Sequence, residues 1–192
     1  MRDIVAVADR TRISDGIAMV TFVVPHDPNW KTAFADEAEA IKEAFWITPV
    51  QVHHIGSTAI PDILAKPIID LLGIVSSLAD ADAKARALEN LGYEVMGAYG
   101  IEGRRYFRKM DNNGTRTHHF HIFEEGSLHV ERHLAFRDYL VAHPNVAKEY
   151  SSLKERLTRG DNPSWDEYLD GKDPFINRVE PQAVDWFQKM KR

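Results

Sequence analysis

Asp70 is a lone carboxylate inside an otherwise apolar run, Ile68-Ile69-Asp70-Leu71-Leu72, and Gly56-Ser57 precedes it across a short Pro-containing loop. Burying such a charge is costly unless another group pairs with it or it coordinates a cation. Glycine lets the backbone approach a phosphate closely, and the adjacent hydroxyl and amides donate to its oxygens. An Asp on the following strand can then hold a divalent cation that bridges those phosphates. The competing reading is an ordinary turn followed by an Asp satisfied by backbone or by a nearby arginine. Spacing alone does not separate the two.

The run Thr117-His118-His119-Phe120-His121-Ile122-Phe123 carries a second kind of chemistry. On a strand, side chains alternate, so His119 and His121 share one face and Phe120 and Ile122 take the other. Two imidazoles on one face can bind a metal, relay a proton or contact an anion when protonated. If this strand lies beside that of Asp70, one carboxylate and two histidines converge; each histidine taken singly reads as a hydrogen-bonded core residue. Positive charge is the third element: Lys66, then Arg104, Arg105 and Arg108, then Arg132 and Arg137. Arg recognises phosphate or carboxylate through a planar fork and Lys through a point charge. Clustered beside a Gly-Ser turn in an acidic chain, they point to an anionic small molecule.

The elements that must position these residues are those of an ordinary globular chain. At 192 residues there is enough chain for a single domain with a sizeable core. A net charge of −5 argues against general nucleic-acid binding. The absence of cysteine excludes disulfides and thiolate metal sites. With no apolar run of the roughly 18–20 residues that cross a bilayer, and a charged start unlike a secretory signal, a cytoplasmic location is expected, without a membrane partner.

Residues 1–16 read as a surface extension or a short edge strand, and Ile17 to Val24 as a strand ended by Pro25. Trp30, Phe34, Ala38, Ile41 and Phe45 recur at helical spacing, with Lys31, Glu37 and Lys42 expected on the exposed face. Val50 to Ile55 and Ile68 to Val75 read as strands, the second covered on both faces. Ser76 to Asn90 is expected as one helix stopped at Gly92, followed by a strand over Tyr93 to Met96. Arg104 to Met110 and Thr115 to Phe123 flank Asp111-Asn112-Asn113-Gly114, a hairpin signal. His129 to Ala142, with Val130, Leu134, Arg137 and Val141 in register, is a helix; another follows Pro144 and stops at Gly160. Ser164-Trp165-Asp166-Glu167 has capping-box form, and Pro174 and Pro181 are expected to break the terminal helix.

Together these residues resemble the GrpB-like family, a branch of the nucleotidyltransferase fold superfamily, from about Val24 to Ile176. The resemblance rests on Pro25-His26-Asp27-Pro28-Asn29-Trp30, His54-Ile55-Gly56-Ser57-Thr58, Lys66-Pro67-Ile68-Ile69-Asp70 and Gly103-Arg104-Arg105-Tyr106-Phe107-Arg108. Thr117-His118-His119-Phe120-His121, the run from Arg132 to Leu140, and Gly171-Lys172 complete it. It implies an α/β (α+β) fold: a nucleotidyltransferase-like mixed β-sheet flanked by helices, with a helical C-terminal part, in one domain over 1–192 whose ends, 1–16 and 177–192, are peripheral. It also implies phosphate binding by Gly56, Ser57 and Thr58 with Arg104, Arg105 and Lys172, and chemistry at Asp70, Ser57, Lys66, His119 and His121. In active nucleotidyltransferases two acids stand one position apart on the strand, with a third on a neighbouring strand. Here Leu72 holds the second place, and His119 or His121 is set to fill the third.

Three functions are open at this point. The first is transfer of a nucleotidyl or phosphoryl group from a nucleoside triphosphate to a small acceptor, with magnesium or manganese at Asp70, His119 and His121. A catalytically silent nucleotide- or anion-binding or accessory folding module is the second, motivated by Leu72. The third is a His/Asp metal-dependent enzyme, since one Asp and two His form a ligand set for iron, zinc or manganese.

Overall fold

The computed structural model describes residues 23–159 and 165–191. Helix α1 (Asn29–Ala44) leads into β1 (Gln51–Ile55) and a single 3-10 turn at Ser57–Ala59, followed by β2 (Ile69–Val75). Short helices α2 (Leu78–Ala83) and α3 (Ala85–Asn90) precede β3 (Tyr93–Gly97), β4 (Arg105–Met110) and β5 (Arg116–Glu124). Helices α4 (Leu128–Ala142), α5 (Pro144–Leu157) and α6 (Trp165–Met190) close the chain. The sheet is mixed, in the order β1-β2-β5-β4-β3, with β2 and β5 parallel and the other pairs antiparallel. The expected fold class holds.

Alternation along β2 and β5 sorts the sheet into two faces. Ile69, Leu71, Val75, Phe120 and Ile122 point to one side, where Trp30, Ile41 and Phe45 of the α1 region and Leu88 of α3 cover them. Asp70, Leu72 and Ile74, with His119, His121 and Phe123, take the other side by the same period. There Leu72, Ile74 and Phe123 pack against Val130 and Leu134 of α4. A third cluster joins Ile60 and Ile63, in the loop after the 3-10 turn, to Phe136 and Leu140 of α4, Tyr150 of α5, and Phe175, Ile176 and Val179 of α6. Helix α4 is thus apolar on two sides, against the sheet and against α5 and α6. That double burial explains why Phe136 and Leu140 are buried while Val141, expected on the inner stripe, is 48% exposed.

Several local expectations change. The single helix over 76–90 divides at Lys84 into α2 and α3. Gly92 does end α3, at φ +91°. Glu37 is not on a solvated face, because both its oxygens accept from Lys109 Nζ at 2.9 Å. Most of the strand expected over Ile17 to Val24 lies outside the described residues, as do the 1–16 extension, the Gly160 stop and the Ser164 cap; Val24 itself makes an isolated bridge to Ala65.

The larger correction is at the end of the chain: α6 runs unbroken through Pro174 and Pro181. Each proline lacks the N–H for the carbonyl four residues earlier, Asp170 and Asn177. All four residues are exposed, so water can take the freed carbonyls. Val179 and Ala183, on or near the stretch expected to be peripheral, are buried.

Candidate functional site

The parallel pairing of β2 with β5 sets Asp70 opposite His119 and Leu72 opposite His121. Asp70 therefore meets the histidine face, and His119 Nδ1 lies 3.1 Å from Asp70 Oδ1. Antiparallel β1 brings Ile55 opposite Asp70, so the chain leaves β1 directly over the carboxylate. Gly56 makes that exit at φ +70° and ψ −171°, a region open in practice to glycine alone. Here the glycine is required for space as well: a Cβ on Gly56 would overlap Asp70 Oδ2.

Around this centre lies a pocket lined by Gly56, Ser57, Thr58, Lys66, Asp70, Arg104, His119, His121, His133, Tyr150, Tyr168, Lys172 and Glu180, among others. The structure therefore brings together all of the candidate site residues except one. Arg105 does not line the pocket: its neighbour Arg104 takes the inward place, and Arg105 holds Asp82 of α2 through Nε at 2.5 Å and Nη2 at 2.8 Å. Thr58 is present but committed, its hydroxyl donating to the Ile68 carbonyl at 3.2 Å and facing His54 Nε2 at 2.9 Å. The other arginines grouped with the site are already paired: Arg108 with Glu94, Arg132 with Glu180 at the pocket wall, and Arg137 with Asp138 and the His54 carbonyl.

Lys172 is in the pocket because α6 is continuous, not displaced by Pro174. It is buried, with Nζ 4.4 Å from the Tyr168 ring centroid. Burial pushes its amine down to about 8, against the partly offsetting attraction of Asp70. Burial does the same to Lys66, also to about 8, and Asp70 again opposes it. Arg104 is lowered by burial to about 10, and donates to the carbonyls of Ala98 at 3.1 Å and Tyr99 at 2.6 Å. Lys154 of α5 was not singled out in the sequence. Its Nζ donates to Ser57 Oγ at 2.8 Å and to the Leu64 carbonyl. The signal available was a lysine on the apolar stripe of an amphipathic helix, four residues after Tyr150.

Asp70, His119 and His121 each offer one ligand atom, all within 4.8 Å of one another. His119 Nε2 and His121 Nδ1 are buried without hydrogen-bond partners among the described residues. Burial, reinforced by His133, holds His121 well below the ordinary imidazole range, so it stays neutral as a ligand must. This set fits one cation. Two imidazoles and one carboxylate suit manganese, iron, cobalt or zinc better than magnesium, which prefers oxygen. They do not fit two, because Leu72 is fully buried in the cluster under α4.

The GrpB protein family profile matches residues 21–182. The chain belongs to the GrpB family. Among relatives of this GrpB chain is the UPF0157 protein YqkA of Bacillus subtilis, 43% identical over 164 residues, covering 85% of this chain and 47% of YqkA. The chain thus spans about half the length of that relative. The crystal structure of the conserved protein GrpB from Enterococcus faecalis superposes with a TM-score of 0.81 at 40% identity, covering 86% of this chain and 99% of that one. The structure of Cid1 in complex with its short product ApU superposes with a TM-score of 0.50 at 14% identity, covering 71% of this chain and 43% of Cid1. At that identity the likeness shows the fold: this GrpB chain has the nucleotidyltransferase fold. No helix among the described residues is long and apolar enough to cross a membrane.

Proposed function

We propose that the protein binds a nucleoside triphosphate with one divalent cation and transfers its nucleotidyl, or a related phosphoryl, group to a small acceptor. One observation carries this reading: the Gly56-Ser57 turn and Asp70 share a pocket with the cations Lys66, Lys172 and Arg104. Glu180, the pocket's other carboxylate, is paired with Arg132, and Asp70 amid that much positive charge suits a polyanion accompanied by a metal better than a neutral substrate. Asp70, His119 and His121 would hold the cation, which when bound polarises a phosphoryl oxygen. Ser57 and the turn amides would hold phosphate, and the lysines would neutralise charge developing on the leaving group.

The test is pyrophosphate release on incubation with nucleoside triphosphates, manganese or magnesium, and a panel of small acceptors. Activity that is lost in Asp70→Asn is the expected result; no release under any metal counts against transfer. The burial of Leu72 favours a second reading, a catalytically silent nucleotide- or anion-binding module, because it leaves no place for a second metal. Calorimetry separates the two: nucleotide binding indifferent to added metal, without turnover, is the signature of the silent module.

A further inference from the structure

Of the run His54-Ile55-Gly56-Ser57-Thr58, His54 alone stands outside the pocket wall. It alternates with Ile55, which lies in the cluster beneath α4, so His54 turns to the opposite face of the sheet. There its ring stacks on Phe34 of α1, with centroids 4.7 Å apart and planes 6° from parallel. Its carbonyl accepts from Arg137 Nη1 of α4 at 2.9 Å, so the residue is held from both sides of the sheet. The 3-10 turn at Ser57–Ala59 brings Thr58 back to this ring. Thr58 is 2% exposed, and its hydroxyl has a single proton. The Ile68 carbonyl, 3.2 Å away, can only accept, so that proton goes there. His54 Nε2, 2.9 Å from Thr58 Oγ1, must then be the donor, with the ring's lone pair on Nδ1. Burial pushes His54 down to about 4, against the opposing attraction of Asp70, so the ring is neutral and adds no charge to the site.

We propose that His54 is a positioning residue: its Nε2–H, relayed through Thr58 to the Ile68 carbonyl, fixes the Gly56-Ser57 turn over Asp70 and so sets the pocket's grip on a polyphosphate. This rests on the reading of that turn as the holder of phosphate. The relay joins the end of β1, the turn, and the residue just before β2, two positions ahead of Asp70. The turn needs such a tie because its own backbone bonds are long. Ala59 N–H reaches the Gly56 carbonyl at 3.3 Å and Ile60 N–H the Ser57 carbonyl at 3.2 Å, against a usual value of roughly 2.9–3.0 Å. Ser57 is tied separately, from α5, by Lys154 Nζ donating to its Oγ at 2.8 Å; His54 ties the turn from the sheet. Without the Nε2–H, Thr58 Oγ1 becomes a buried acceptor short of a donor, and the turn shifts to find one. The competing role for His54 is packing on Phe34 alone, which a phenylalanine ring would fill as well.

The experiment titrates inorganic pyrophosphate, with manganese, into the full chain by calorimetry at neutral pH. His54→Phe keeps an aromatic ring against Phe34 and removes the N–H, and affinity should fall by about 10-fold. Thr58→Val cuts the relay at its middle and should cost about as much, and His54→Phe added to it should then cost nothing further. Wild-type affinity in His54→Phe, or losses that add in the double variant, overturns the relay and leaves the phosphate reading standing. A wild-type chain that does not bind pyrophosphate removes both. If either variant does not fold by thermal melt, heteronuclear NMR of the wild-type histidines decides instead: His54 must carry its proton on Nε2 with Nδ1 bare, and the opposite tautomer refutes the relay.

Discussion

Gly56 and Asp70 are sterically interlocked: a Cβ on residue 56 would lie 3.0 Å from Asp70 Cβ and overlap the carboxylate, at a backbone φ of +70°. Residue 56 cannot gain a side chain without displacing the Asp70 carboxylate. Gly56→Ala should therefore lower stability by about 1–3 kcal/mol for the backbone alone, and also push Asp70 off the histidine face. Urea unfolding and a manganese titration of the same variant check both halves, and a variant that binds manganese like wild type would show the two residues to be independent.

Manganese or cobalt should bind the nucleotide-free protein more tightly than magnesium, because two of the three ligands are imidazoles. Asp70→Asn and His121→Ala should each weaken manganese binding by more than the roughly 10-fold that follows loss of even an outer hydrogen-bond partner. Calorimetry with the metal alone reads this without any assay of activity. Equal affinity for magnesium and manganese would be the contrary outcome.

Leu72→Asp is the substitution that would seem to complete an acidic pair, and it should fail to do so. Leu72 is packed among Ile55, Ile74 and Phe123 beneath α4. A carboxylate there has no partner, so a loss of about 3 kcal/mol or more in chemical denaturation is expected, with no gain in magnesium affinity.

Lys66 and Lys172 set a pH signature. Both have folded-state values lowered from 10.5 to about 8. Between pH 8 and 10.5 the unfolded chain holds more protons than the folded one, so stability of the nucleotide-free protein rises with pH across that window. Affinity for pyrophosphate should fall across the same window as these lysines lose their charge. Thermal melts and calorimetry at pH 7.5, 9 and 10 measure the two opposed trends, and Lys172→Met should flatten both.

Arg104 and Arg105 make a paired control. Arg105 grips an exposed Asp82, and exposed pairs contribute about 0–1 kcal/mol, so Arg105→Ala should leave nucleotide affinity unchanged. Arg104→Ala should lower it and also loosen the turn at Ala98 and Tyr99, whose carbonyls Arg104 holds. Side-by-side titration of the two variants distinguishes them.

That His119 and His121 share a face, and that β4 pairs with β5, were legible because strand alternation is a local rule and Asn113-Gly114 is a hairpin signal; their meeting with Asp70 stood only as a condition, because it depends on the long-range parallel pairing of β2 with β5. What was not legible depended on distant partners. Arg104 and Arg105 are adjacent in sequence and opposite in fate, and only the strand's start at Arg105 decides which one turns inward. Lys154 reads as an interruption of an apolar stripe until the loop at Leu64 is laid across α5 to receive it. The prolines of α6 obey their local rule in removing hydrogen bonds, but tertiary packing of Phe175, Ile176 and Val179 outweighs it.

That last balance has a consequence for the order in which the protein matures. A helix with two internal prolines has little tendency to form by itself, since each opposes it by about 3 kcal/mol. Helix α6 should accordingly be ordered by docking onto α4 and α5 rather than before it. Ribosomal synthesis delivers Asp70 and the histidine strand well ahead of α6, so a growing chain carries the carboxylate long before Lys172 can face it. The cationic wall is completed last, and a partly made chain has the acid without its full anion-binding charge.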